Sequence, residues 1–160
     1  MLSKSDNTAT NVLIDVLGRD AITRACRSFG LNDTAVRRKL SGALPLIDDP
    51  QAAGRNAHPA TDCAKLLAHL ASAAARGSNW MYEALLAQLW NGKLAAGFDD
   101  RDRFGHKRGD TDEVSHDGGI LTLPNGRRFV LVVYTSLPAT PETDVRFATF
   151  ARALRPHLDC

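Results

Sequence analysis

A chain of 160 residues, 44% of them apolar and 24% charged, is long enough for one domain with its own core. Its 20 Lys and Arg against 18 Asp and Glu leave a formal net charge of +2. Both signs are scattered along the sequence, so no field suited to nucleic acid or a membrane surface is expected. There is no apolar run able to span a bilayer and no recognisable export leader after Met1.

The helical patterns come first. Asn7 can cap a helix running to Leu17, with Val12, Leu13, Val16 and Leu17 as its apolar stripe and Gly18 as its end. Asp20 caps a second helix whose Ile22, Ala25, Cys26 and Phe29 point inward, with Gly30 as the stop. Residues 31–40 read as a short link or helical turn, and the run Arg37-Arg38-Lys39 as a solvated face. Over 41–59 the pattern gives way to Gly, Pro and Asp, a long ordered loop in which Asp48 and Asp49 read as turn residues. Pro59-x-Thr61-Asp62 opens a third helix with Cys63, Leu66, Leu67 and Leu70 on one side, and His69 reads as a surface or boundary residue. A fourth helix over 79–90 offers Met81, Leu85, Leu86, Leu89 and Trp90 to the core, and 92–104 reads as a polar connector. Cys26, Cys63 and Cys160 form neither a metal pattern nor a disulfide framework and read as buried thiols.

Residues 106–135 change the pattern from helix to sheet. They read as a strand, a Gly-rich opening, a second strand, a turn at Asn125-Gly126 and a third strand. Asn-Gly favours the pair of positive φ angles of a tight hairpin turn. Residues 130–134 are nearly all apolar, as in a strand covered on both faces. Lys107, followed by Arg108 and Gly109, displays a cation at a strand edge where glycine leaves the backbone accessible. Pro141 and Glu142 begin a last helix to Leu154, with Val145, Phe147, Ala148 and Leu154 facing the sheet. The expected fold is α+β: a helical part over about 5–98, then an antiparallel three-stranded sheet and a C-terminal helix over about 102–157, in a single domain.

Two groups of residues carry a family resemblance. His106-Lys107-x-Gly109, then Val114-Ser115-His116-Asp117-x-Gly119-Ile120, Leu123-Pro124-x-Gly126 and 130–135 resemble the Lys-Thr-Gly strand and following hairpin of class A-type serine β-lactamases. They are most similar to the β-lactamase-like hydrolases that carry His-Asp-x-Gly-Ile. Ser5-Asp6-Asn7-Thr8-Ala9-x-Asn11-x-Leu13 is similar to the family's Ser-Asp-Asn loop and the helix after it. The two groups stand in the family's order.

The resemblance implies a truncated β-lactamase or transpeptidase-like fold and hydrolysis of a β-lactam ring amide through an acyl-enzyme. Acyl transfer needs a nucleophile, a base, a relay to the leaving nitrogen and an oxyanion hole. By resemblance, Ser5 relays the proton beside Lys107, which also attracts the substrate carboxylate. Asn7 offers its amide to a substrate carbonyl, Gly109 keeps the strand open, and the backbone N–H of Asp110 supplies half of the oxyanion hole. Arg108 stands at a substrate-binding position where the family has Thr or Ser. Asp6 is expected to turn inward and fix the loop, and His116 and Asp117 to form a buried structural pair with internal hydrogen bonds. The implied ligand is a small β-lactam or peptidoglycan-like molecule, with no cofactor, metal, nucleic acid or membrane span. Family members are usually exported.

Two elements of the family pattern are absent. No serine has lysine three residues later, so the Ser-x-x-Lys nucleophile box is not encoded in these residues. No glutamate stands in 41–59, where the family's omega loop activates the deacylating water. The expectation is therefore a β-lactamase-related serine hydrolase that is incomplete or inactive alone. The alternatives are a non-catalytic remnant that binds β-lactam or peptidoglycan-like carboxylates through Lys107, Arg108 and Ser5, and an α/β interaction domain in which these residues are idle. An unpaired apolar edge at 127–135 would invite a further strand, so the chain is also expected to be marginal, to self-associate, or to need a separately made N-terminal piece.

Overall fold

The computed structural model describes residues 1–40, 54–73 and 76–159. Most of the expected 41–59 loop, with Asp48 and Asp49, lies outside the described residues, as does Cys160. The chain divides into two compact units, Met1 with Ser5–Leu66, and Leu2–Lys4 with Leu67–Cys160. The division falls within the third helix, so the fourth helix groups with the sheet.

The first unit holds α1 (Asn7–Leu17), α2 (Arg19–Ser28) and the start of α3 (Ala60–Ala71). Asp6, not Asn7, caps α1: its backbone is extended and its carboxylate accepts the Ala9 N–H at 3.0 Å. Asn11 brackets the Leu40 backbone, its Nδ2 donating to the carbonyl and its Oδ1 accepting the N–H, both at 2.7 Å. Asp15 pairs with Lys39 at 2.8 Å and Ile14 is buried. Helical spacing puts Asn11, Ile14 and Asp15 on one side of α1. Val12, Leu13, Val16 and Leu17, expected to face the core, are therefore turned outward and exposed.

α2 ends as a Schellman motif on Gly30, whose φ is +75°: Leu31 N–H reaches the Cys26 carbonyl at 3.0 Å and Gly30 N–H the Arg27 carbonyl at 2.9 Å. Ile22 and Cys26 are half-buried, whereas Ala25 and Phe29 are exposed. Residues 31–40 are a link with a single turn, the Thr34 N–H reaching the Leu31 carbonyl at 3.4 Å; Ala35 bridges Ala57 in antiparallel fashion and Asn56 Oδ1 accepts from the N–H groups of Arg37 and Arg38. Asp62, in the first turn of α3, is fully buried. It accepts from Thr34 Oγ1 at 2.9 Å, Asp33 N–H at 3.0 Å and Lys65 at 3.3 Å. Burial pushes its carboxyl up, but these donors outweigh burial and hold it below the usual carboxylate value. Cys26 and Cys63 carry thiols that are half-buried instead of fully buried; burial, then the Asp62 charge, pushes the Cys26 thiol up, away from reactivity.

The second unit is a sheet of β1 (Arg103–Asp110), β2 (Ser115–Thr122) and β3 (Arg128–Thr135), antiparallel in that order. The register pairs Lys107 with Gly118 and Asp117 with Val133. One face packs on α5 (Pro141–Leu154) and a 3-10 turn, Leu94–Gly97: Phe104, Leu131 and Val133 surround Leu94, Phe98, Phe147 and Ala151. The 3-10 turn rests directly on α5, since a Cβ at Gly97 would run into the Ala148 carbonyl and sit 2.7 Å from Ala151 Cβ. The other face packs on α4 (Ser78–Leu86), where Tyr82 OH meets Thr122 Oγ1 at 2.7 Å.

Several core expectations shift in this unit. β2, not β3, is the covered strand; Ile120 and Leu121 are fully buried, while 130–134 are only half-buried because β3 lies at the edge among the described residues. The turn differs from a paired-positive-φ hairpin: Gly126 N–H bonds the Leu123 carbonyl at 2.9 Å, with Pro124 and Asn125 between them. Only Gly126 takes positive φ, +83°, because proline at the first central position fixes a negative φ. α4 stops at Leu86, and Gln88 turns the chain by accepting from Leu89 and Trp90 N–H, so Leu89 and Trp90 are exposed. Val145 is exposed on α5, two residues from the buried Phe147 and hence on the far side of the helix. The connector at 92–104 is far from uniformly polar and exposed, since Lys93 and Leu94 are fully buried. No described helix is long and apolar enough to cross a membrane.

Candidate functional site

The functional residues named from sequence fall at two places, one in each unit. In the first unit Ser5, Asp6 and Asn7 are exposed at the start of α1. Asp6 does not turn inward, yet it fixes the local backbone: besides its cap, its carbonyl accepts from Thr10 Oγ1 at 2.8 Å. Ser5 has φ +56°, a left-handed backbone rare for a residue with a Cβ; among the described non-glycine residues only Ala73 shares it. Such strain of about 1–3 kcal/mol is met at sites where a side chain must be held in one direction.

In the second unit β1 carries the others. Strand alternation sends Lys107 to the α4 face and His106, Arg108 and Asp110 to the α5 face. Lys107 is half-buried and its Nζ donates to the Arg108 carbonyl at 2.6 Å. Burial pulls the ammonium below the usual lysine value, the Asp110 and Asp117 charges oppose this, and the Arg108 and Lys93 cations add to it. A Cβ at Gly109 would meet nothing within 4 Å, so the strand end beside Lys107 is open.

Arg108 does not share the face of Lys107. Its Nε donates to Asp110 at 2.6 Å, and Nη1 lies 3.7 Å from Asp144 of α5. Asp110 receives Lys93 and Ser115 Oγ on its other oxygen. Burial raises the Asp110 carboxyl, but the Lys93 and Arg108 donors prevail and hold it below the usual range.

His116 and Asp117, expected as a pair, point to opposite faces. His116 stacks on Tyr134 with ring centroids 4.2 Å apart, and its Nδ1 accepts the Thr135 N–H at 3.2 Å. Asp117 instead pairs with His106 at 2.8 Å and accepts the Leu94 N–H at 3.1 Å. His106 Nε2 lies 2.9 Å from Asn91 Oδ1, and Asn91 Nδ2 is engaged by the Gln88 carbonyl, which fixes the amide orientation. The imidazole thus meets an oxygen acceptor on each nitrogen.

Sequence reasoning missed His106, Asn91 and Lys93. His106 was legible only as part of a motif, and the register that brings Asp117 to it appears once the hairpin is formed. Lys93 stands alone between Gly92 and Leu94, and no spacing rule marks a single lysine as buried. Among the described residues no group of His, Cys, Asp and Glu is arranged to hold a metal ion.

Known proteins of similar structure share this fold. The model of the Beta-lactamase enzyme family matches residues 1–158. PBP-A superposes with a TM-score of 0.84 at 26% identity, over 99% of this chain and 58% of its own. The β-lactamase from Sphaerobacter thermophilus DSM 20745 gives a TM-score of 0.77 at 30% identity, over 95% of this chain and 58% of its own. An ancestral (GNCA) class A β-lactamase gives 0.80 at 25% identity, over 98% of this chain and 62% of its own. The chain therefore spans 58% to 62% of the length of these proteins. No curated protein sequence matches it. With a family match over nearly its whole length and an α+β fold common to those enzymes, the chain belongs to the class A-like serine β-lactamase family.

Proposed function

We propose that the chain supplies the carboxylate-binding and proton-relay residues of a β-lactamase-related serine hydrolase, which opens a β-lactam ring amide through an acyl-enzyme. The carrying observation is Lys107, a half-buried ammonium at a strand end left open by Gly109. A cation partly withdrawn from water gains from an incoming carboxylate.

In this reading Lys107 binds the substrate carboxylate and Ser5, held in its strained turn, passes a proton to the leaving amine. Asn7 donates to the substrate carbonyl, and the Asp110 N–H provides half of the oxyanion hole. Arg108, committed to Asp110 and Asp144, braces the strand end and adds positive potential. The acyl-accepting serine is not among these residues, because no Ser-x-x-Lys occurs in them. That same observation favours a second reading, a non-catalytic binder of β-lactam or peptidoglycan-like carboxylates.

A PBP-A mutant is described as an acyl-enzyme complex with penicillin G, which makes penicillin G the natural probe. Nitrocefin turnover that disappears in Ser5→Ala and Lys107→Ala supports the hydrolase. Saturable penicillin G binding without turnover or a mass increase supports the binder. Absence of both binding and turnover overturns the two together.

A further inference from the structure

The β1 segment from His106 to Asp110 is held at both ends from one dipeptide of the preceding connector. At the near end, the Leu94 N–H donates to Asp117, which pairs with His106, the residue before Lys107. At the far end, Lys93 reaches Asp110, the residue after Gly109. The Lys93 side chain is 0% exposed. Its Nζ also donates to the His116 carbonyl at 3.1 Å and lies 5.2 Å from the centroid of the Phe147 ring. Asp110 in turn holds Arg108 at 2.6 Å. A buried lysine is costly to desolvate unless its charge is paired and its donors are used, and here both conditions are met.

We propose that Lys93 is a positioning residue for the carboxylate-binding end of β1: by tethering Asp110 of β1 and the His116 carbonyl of β2 it fixes the two paired strands at Lys107–Gly109. The carboxylate-binding part of this rests on the function proposed above; the clamp itself does not. Without Lys93, the Asp110 carboxylate keeps Arg108 and Ser115 but loses its attachment to the connector, and the strand end beyond Gly109 is released. Lys93 also acts on Lys107 through space, as one of the cations that keep that ammonium below its usual value.

The test is amide hydrogen exchange on the full chain, comparing Lys93→Met, the charge-neutral pair Lys93→Met with Asp110→Asn, and Lys93→Arg. The clamp predicts exchange at 107–110 faster by about tenfold or more in the first two, with 119–121 and 130–132 within about twofold of the parent. Lys93→Arg, which retains a cation with several donors, restores most of the protection. Uniform acceleration across the sheet, or failure of both neutral variants to fold, assigns Lys93 to global stability and overturns the proposal; unchanged exchange at 107–110 does so as well. A second readout is penicillin G affinity, which the clamp predicts to weaken in the locally loosened variants. If the parent chain binds no penicillin G, the functional reading fails while the exchange result still decides the clamp.

Discussion

His106 Nδ1 lies 2.8 Å from Asp117 Oδ1, with the two side chains 1% and 0% exposed. Each side chain has one further hydrogen-bond partner, Asn91 for the imidazole and the Leu94 N–H for the carboxylate. Removing one member of a buried, fully bonded pair strands the other. Asp117→Ala leaves the His106 nitrogen and the Leu94 N–H without their buried acceptor and is expected to cost about 1–3 kcal/mol for each, read as a lower urea midpoint at unchanged slope. Asp117→Asn, which keeps an acceptor for the Leu94 N–H, should cost less. Equal midpoints for Asp117→Ala and the parent would contradict this account of the pair.

Gly97 is where the 3-10 turn touches α5. A methyl group there would run into the Ala148 carbonyl and lie 2.9 Å from the Arg152 nitrogen, both backbone atoms with little freedom to move. Gly97→Ala should destabilise by about 1–3 kcal/mol or more through overpacking. Because the same turn carries Leu94 and its bond to Asp117, the loss should spread to the His106 pair. Thermal unfolding of this variant checks it; an unchanged midpoint would show that the two elements separate readily.

Asp110 gives a pH signature. Its folded carboxyl lies below the ordinary value of 3.8, although burial works in the opposite direction. Between those two values the unfolded chain binds more protons, so stability rises with pH there. The contribution is fully present above the ordinary value and is lost as pH falls through the folded one. The stability difference between parent and Asp110→Asn should be flat from about pH 5 to 8 and shrink below about pH 4. A difference that stays constant into acid would rule out Asp110 as the titrating group.

Lys107 gives a second signature, at the alkaline end. Its ammonium lies below the usual 10.5 because of burial. If that ammonium receives the substrate carboxylate, affinity should fall as pH rises through the lowered value, before an ordinary lysine would lose its proton. Penicillin G affinity measured across this range checks it, and affinity held past the usual lysine value would point to Arg108 as the binding charge.

The β3 edge presents 129–135 without a charged residue or proline, and β2 occupies only one side of it. Such an edge accepts further strands. Sedimentation velocity should show a coefficient that rises with protein concentration; a constant monomeric value would remove self-association from the account.

What the sequence disclosed follows from how local each signal is. The three strands, the α5 start at Pro141 and the stops at Gly18 and Gly30 depend on a few neighbouring residues, and their chemistry was readable directly. The direction of α1 was not, because Val12, Leu13, Val16 and Leu17 make an apolar stripe as good as any. The face that turns inward is instead chosen by Asn11 binding Leu40, 29 residues away. The same holds at the site. Lys107 and Gly109 could be named from a motif, but the partition of Lys107 from Arg108 needed the strand pleat. Lys93 and Asn91 needed a folded connector before they became visible. Asp6 was expected to turn inward, but an N-cap side chain bonds backbone N–H groups while staying at the surface, as Asp6 does with the Ala9 N–H.

In the function proposed above, the open end of β1 receives a carboxylate at Lys107. Backbone and lysine side-chain NMR during a penicillin G titration tests it most directly. Saturable shifts should concentrate at 107–110, vanish in Lys107→Ala and persist in a distant surface variant such as Arg101→Ala. Shifts that avoid 107–110, or that persist unchanged in Lys107→Ala, would contradict it.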